Sequence, residues 1–241
     1  MPTLIEMRLK ATLTARPDTR QLHGLACALF EEEDAEHWRQ DKPFAVCPVR
    51  LGGSKDEWEW RAAWLPDDGL PARVATAGVL RIGHVICHVT ESAQRRVTHA
   101  TLAAGSPLTA ATITFRTPTY FSQNGADTVI PDPRLIAGSW RRRWNASLSD
   151  AGSLAISDHE WTATHRLLKL AAFDLRTEHG DTGHGRERPG FTGTATLRLA
   201  SDAPVAARRI FGTLARFAEY CGTGAQTTHG FGVTAVSNAD G

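Results

Sequence analysis

The chain has 241 residues, 41% apolar and 22% charged, and a formal net charge of +1. That suffices for one large domain or two of about 100–120 residues, and it excludes disorder, collagen-like repeats and coiled coil as the main character. No stretch approaches the ~18 apolar residues of a membrane-spanning helix. The N-terminal MPTLIEMRLKATLTA alternates apolar and charged residues and lacks the apolar run of a signal peptide, so the expected location is the cytoplasm. Of the 27 cationic residues only Lys10, Lys42, Lys55 and Lys169 are lysines. Arginine forks suit bidentate phosphate contacts and stacking on bases, although high-GC codon usage gives the same bias. Cys27, Cys47, Cys87 and Cys221 form no CxxC motif and read as free core thiols.

In chain order, residues 4–13 alternate with period two, placing Ile5, Met7, Leu9, Ala11 and Leu13 on one face of a half-buried strand. Asp18 and Thr19 offer helix N-cap chemistry. Leu22, Leu25, Ala26, Leu29 and Phe30 then mark the apolar stripe of an amphipathic helix. The acidic run 31–34 is unfavourable at a helix C-terminus and is expected to end it. Residues 44–50 and 57–65 read as strands separated by a Gly52-Gly53 turn, with Trp58, Trp60, Ala62 and Trp64 on one face. A short helix fits within 69–76, and 78–90 is β-rich. The order β-α-β-β-α-β is the ferredoxin-like unit. Residues 91–107 change character and end in Gly-Ser-Pro, which puts a domain boundary near 105.

A second round follows. Residues 110–116 read as a strand and 131–145 as a helix opened by prolines. Strands at 166–178 and 191–200 flank a tip rich in Gly, His and Arg. A helix covers 203–220, and a last strand lies at about 228–237. The halves share element order rather than letters. The predicted fold is α+β, two tandem ferredoxin-like domains at 1–105 and 106–241.

Four stretches, taken together, carry a resemblance: LHGLACALFEEEDAEHWRQDKPFAV (22–46), FRTPTYFSQNGADTVIPDPRLIAGSWRRRWN (115–145), GFTGTATLRL (190–199) and LARFAEYCGTGAQTTHGFGVTAV (214–236). In this order and spacing they resemble the CRISPR-associated endoribonucleases of the RAMP superfamily, which cut precursor CRISPR RNA within its repeats. The resemblance implies two ferredoxin-like domains, a repeat RNA hairpin as substrate and metal-independent cleavage without a cofactor. It also brings in homodimerisation and contact with CRISPR effector-complex subunits as partner options, and no membrane. A non-catalytic RAMP subunit that binds RNA within an effector complex is the alternative.

Metal-free RNA cleavage needs a base for a 2′-hydroxyl, an acid for the leaving 5′-oxygen and donors for the charge on phosphorus. Its products are a 2′,3′-cyclic phosphate and a 5′-hydroxyl. Histidine suits both proton roles. The resemblance puts the family's usual catalytic histidine at His37 and a variable polar active-site residue at His23. Fourteen residues of straight helix would hold the two about 21 Å apart, so they converge only if the helix ends near Glu32–Glu33 and the chain folds back. Lys42 is a candidate for stabilising transition-state charge, a solvated loop lysine being the plainer reading. The tyrosine that some relatives carry on the first helix has no counterpart, since no tyrosine precedes Tyr120.

For RNA binding the candidates are Arg141, Arg142 and Arg143 on the second half's first helix, of which at most two face one surface. Trp140 and Trp144 mark the buried face of that helix. Arg186 and Arg188 sit on the hairpin tip with His179 and His184, and a plain surface loop is the alternative. The glycine-rich loop, Gly222-Thr-Gly224 and Gly230-Phe-Gly232, lets backbone N–H groups approach a phosphate or base, with Gln226, Thr227, Thr228 and His229 in reach; a tight turn that only packs is the alternative, and the resemblance favours RNA contact or support of the cleft. His84 and His88 have helical metal spacing on a strand-like segment and lack a third ligand. The tryptophans at 58, 60 and 64 read as core.

Overall fold

A computed structural model of the chain describes residues 1–13, 16–31, 42–123, 125–149, 152–183 and 186–238. The first half runs β1 (Thr3–Lys10), α1 (Thr19–Phe30), β2 (Phe44–Val46), β3 (Arg50–Leu51), β4 (Glu57–Trp64), α2 (Ala72–Ala75), β5 (Val79–Ile82), β6 (Val85–Arg96) and α3 (His99–Ala104). Its antiparallel sheet has the order β2-β4-β1-β6-β5, with β3 also on β4. The strand expected over 44–50 is interrupted at Pro48, which has no N–H for the ladder. The β-rich stretch 78–90 is a hairpin with His84 in its turn, and its second strand runs on to Arg96 along β1. That strand hides from the eye because residues 88–96 are largely exposed and polar.

The second half runs β7 (Ala110–Thr119), β8 (Phe121–Gln123), β9 (Ala126–Thr128), α4 (Pro133–Ser147), α5 (Asp158–His165), β10 (Leu168–Asp181), β11 (Glu187–Leu199), α6 (Val205–Cys221) and β12 (Thr234–Asn238). Its sheet order β10-β11-β7-β12 is the ferredoxin-like order, the fourth strand beside the first and the hairpin on the other side. Leaving aside the added β5, the first sheet repeats it. Helix α5 was not expected. Its capping box, Ser157 to the Glu160 N–H and Glu160 back to the Ser157 N–H, was present in the sequence as S-x-x-E. The last strand begins at Thr234 rather than near 228, because a 3-10 turn at Thr227–His229 occupies its expected start.

Each half has its own apolar core. Ile5, Met7, Trp60, Leu22, Leu25 and Leu29 form one; Ile113, Trp140, Trp144, Phe211, Leu214 and Phe217 anchor the other. Each such side chain is worth about 1.5–3 kcal/mol of burial. Polar ties join the halves. Arg143 Nη2 donates to the Phe44 carbonyl at 2.7 Å, and Arg216 donates to the carbonyls of Leu102 and Ser106. Buried His99 contacts Asp67 Oδ1 at 2.5 Å and Ser147 Oγ at 2.8 Å, linking the end of β4, the start of α3 and the end of α4.

Candidate active site

Helix α1 carries the first component. Asp18 and Gln21 close a capping box at its start, and the chain turns extended at Glu31. The helix therefore stops two residues before the point the sequence reading required. Its apolar stripe faces the sheet. His23 stands at the edge of that stripe, half-buried and turned toward the second half of the chain.

The glycine-rich loop after α6 carries the second component. Gly224 and Gly232 have φ of +81° and +64°, and at each a carbonyl, of Tyr120 and Thr223 respectively, occupies the space a Cβ would need. Only glycine fits both constraints. The loop is pinned from beneath by a chain of donors. Trp140 Nε1 donates to Thr223 Oγ1 at 2.8 Å, Thr223 to Thr234 at 2.7 Å, and Thr234 to the Gly232 carbonyl at 2.8 Å. The N–H groups of Gly222, Thr223, Gly224, Ala225, His229, Phe231 and Gly232 all bond within the protein. In the free protein the amides at these positions hold the loop's shape, which accords with the packing-turn alternative. Gln226 is left-handed at φ 52° with its Oε1 buried, and Gly230 abuts Pro48.

What the loop delivers is a contact with His23. His23 Nδ1–H donates to the Thr228 carbonyl at 3.0 Å. A carbonyl only accepts, so the neutral ring keeps its proton on Nδ1 and its lone pair on Nε2. Nε2 lies 3.4 Å from Cys27 Sγ, one helical turn on. Burial and the neighbouring Glu31 push the Cys27 thiol up to about 12, so it stays protonated. The His229 ring stacks on His23, centroids 3.9 Å apart and planes 9° from parallel, and the Phe44 ring lies tilted to His23 by 42° at 5.9 Å. Burial lowers the pKa of His23 below the ordinary histidine value, opposed by the Thr228 carbonyl and Glu31. His229 falls to about 4 through burial and the adjacent His23. Both rings are neutral at pH 7.

Lys42 is not a solvated loop lysine. Its side chain is 6% exposed and pairs with Glu31, 4% exposed. Residues 31 and 42 bracket the segment that bears His37, and they meet beside Cys27 and His23. His37 itself lies outside the described residues, as does His184.

The basic candidates separate. Arg141 donates to the Ile156 carbonyl and pairs with Asp158 at 2.7 Å, and Arg143 holds Phe44; both are engaged inside the fold. Of the three, Arg142 is the exposed one. It lines a groove with Arg134, Phe121, Gln123, Trp161 and His165. Arg134, which lines the same groove, was missed; two arginines on one helix about two turns apart were the available signal. Arg188 pairs with Asp127 and lies over the Tyr120 ring, while Arg186 is exposed. The hairpin tip is shorter than expected, since β10 reaches Asp181 and β11 starts at Glu187. Gly180 packs against Phe231 of the glycine-rich loop, and Gly183 against Arg20 of α1, each leaving no room for a Cβ. The hairpin therefore packs against the glycine-rich loop and the start of α1, the two elements that carry His229 and His23. A further cleft is lined by Arg8, Arg50, Arg61 and Arg116, with Arg8 and Arg61 paired to Glu91 and Glu6. On strands such alternating charges read as ordinary solvent faces, so these were also missed.

Among the described residues no three His, Cys, Asp or Glu side chains gather as a metal site, and no helix is long and apolar enough to cross a membrane.

Two ferredoxin-like halves, joined where a histidine on the first helix meets a glycine-rich loop after the last, define a RAMP-type RNA-processing protein. The model of the CRISPR-associated endoribonuclease Cas6 family matches residues 113–234, half of the chain, and the chain belongs to that family. Its fold is similar to that of the Thermus thermophilus Cas6 TTHB231 in a product complex (29% identical, 98% of this chain and 99% of that one, TM-score 0.82). It is likewise similar to the Cas6 TTHA0078 in a product complex (26% identical, 98% and 100% covered, TM-score 0.80), and to that protein's H37A mutant (25% identical, 99% and 100% covered, TM-score 0.78). No curated protein sequence matches the chain. The chain is a CRISPR RNA-processing endoribonuclease.

Proposed function

We propose that this endoribonuclease cuts the repeat hairpin of precursor CRISPR RNA by histidine acid–base catalysis without a metal. The 2′-hydroxyl attacks the adjacent phosphorus, and the base takes its proton. The 5′-oxygen leaves with a proton from the acid, giving a 2′,3′-cyclic phosphate and a 5′-hydroxyl. His23 and His37 divide the two transfers. The observation that carries this reading is the bond from His23 Nδ1–H to the Thr228 carbonyl, which puts the lone pair on Nε2, where the weakly donating Cys27 thiol at 3.4 Å is the partner that a 2′-hydroxyl would displace. A ring that burial keeps neutral at pH 7 suits the base, and His37 is then the acid. Lys42 is held by Glu31; in this reading it anchors the segment bearing His37.

The hairpin's phosphates run along Arg142 and Arg134 in their groove and the exposed Arg186 at the β10–β11 tip, supported by the exposure of all three. The two units divide near residue 105, in the turn between α3 and β7. The test is cleavage of a hairpin repeat RNA from the same genome in excess EDTA. Wild type should cut and leave a cyclic phosphate. His37→Ala should lose about 10²–10⁴ in rate while keeping most of its RNA affinity. A linear phosphate end, or dependence on added metal, sinks the mechanism.

A further inference from the structure

We propose that His229 is a positioning residue for cleavage, which together with the Thr228 carbonyl sets the ring plane and tautomer of His23 across the two halves of the molecule. The inference rests on the role given to His23 above and adds what holds that ring in a usable state.

An imidazole at a helix edge can turn about its last torsion and present either nitrogen. At His23 two contacts of different kinds remove that freedom. The Thr228 carbonyl, at 3.0 Å, requires the proton on Nδ1. The His229 face, 9° from parallel at 3.9 Å, sets the plane. Both come from adjacent residues of one 3-10 turn, held at its ends by the left-handed Gln226 and Gly230 and inside by the His229 N–H to the Gln226 carbonyl. Thr228 serves both rings, since its hydroxyl lies 3.0 Å from His229 Nδ1. The Phe44 ring also lies 5.9 Å from the His23 ring. Among the described residues, the charged and titratable groups facing His23 are Cys27 on its own helix, Glu31 at that helix's C-cap, Lys42 and His229. One face of His229 is covered by His23, which argues against a base-stacking role for that face. A misplacement of 1 Å at a proton-transfer group costs about 10²-fold in rate, so a device that holds the ring is of catalytic consequence.

The experiment compares wild type, His23→Ala, His229→Ala and His229→Phe in single-turnover cleavage of a hairpin repeat RNA. RNA affinity and the ¹⁵N imidazole shifts of His23 in the free protein are measured alongside. His229→Ala should slow cleavage about 10–100-fold with RNA affinity kept, and its His23 should show mixed tautomers. His229→Phe keeps the stack and the ring volume, and should recover most of the rate and the Nδ1-protonated signature. A wild-type rate in His229→Ala beside an inactive His23→Ala overturns the positioning role alone. A parallel loss of RNA affinity in both His229 variants makes the residue an RNA contact and also overturns it. A wild-type rate in His23→Ala overturns the underlying reading of His23, and this proposal with it.

Discussion

His23 and His229 lie face to face, with 3.9 Å between ring centroids and 9° between planes, although one sits on the first helix and the other near the end of the chain. Among the described residues Glu31 acts to raise the His23 pKa, and burial outweighs it. Burial lowers both pKa values, His229 to about 4.

The first expectation concerns acid. An unfolded histidine takes up its proton near pH 6.5, while the folded pair resists until lower pH. Between about pH 6.5 and 4 the unfolded state binds more protons, so stability falls as pH falls, and this contribution is fully present above that window. Urea midpoints at several pH values should show it. His229→Phe should flatten the slope in that window; a slope identical to wild type would mean that His229 is not buried neutral.

Lys42 and Glu31 form an ion pair almost out of reach of water. Lys42→Met leaves the Glu31 carboxylate buried with its main counter-charge gone, and should cost about 3–5 kcal/mol. Adding Glu31→Gln should recover much of that, because both charges are then removed together. Urea unfolding of the two single variants and the double variant measures the coupling. A double variant that folds and cuts RNA normally takes Lys42 out of the chemistry.

Arg142→Ala should weaken RNA binding and lower the slope of log K against log salt by about one. Arg141→Ala should leave the slope alone and reduce stability by about 1–2 kcal/mol, because its guanidinium bonds Ile156 and Asp158. Salt titrations and thermal melts of the pair separate phosphate contact from internal bracing. Equal slopes for Arg142→Ala and wild type would remove Arg142 from the RNA face.

Gly232→Ala meets both a left-handed φ of +64° and the Thr223 carbonyl. It should cost at least about 1–2 kcal/mol and slow cleavage, because the loop that delivers Thr228 must shift. Gly24→Ala, on the exposed face of α1 with open space around it, should instead gain about 0.5–1 kcal/mol. Melting temperatures and cleavage rates of the two variants check the contrast.

Much of the fold was legible in the chain. The stripe from Leu22 to Phe30 and the Asp18 cap gave α1 nearly to the residue, because a helix on a sheet needs that period and that cap. Trp140 and Trp144 face inward as their spacing implies. The misses have local reasons. Helix α5 has little amphipathic contrast, so only its capping box announced it. The strand through residues 88–96 is largely exposed, so its pairing with β1 leaves no apolar alternation to read.

The site divides differently. Residue type and order determined, without any coordinates, that a ferredoxin-like pair carries histidines near the first helix and a glycine-rich loop near the end, since periodicity, caps and motifs are local properties. Tertiary structure alone decided what those parts do to one another. Which of Arg141, Arg142 and Arg143 faces outward depends on the carbonyls of Ile156 and Phe44, both distant in sequence. That the glycine-rich loop spends its amides internally and offers the Thr228 carbonyl to His23 depends on the packing of two halves. A hydrogen bond or a ring stack is made between positions in space, and neighbours along the chain carry no record of which distant group will fill them.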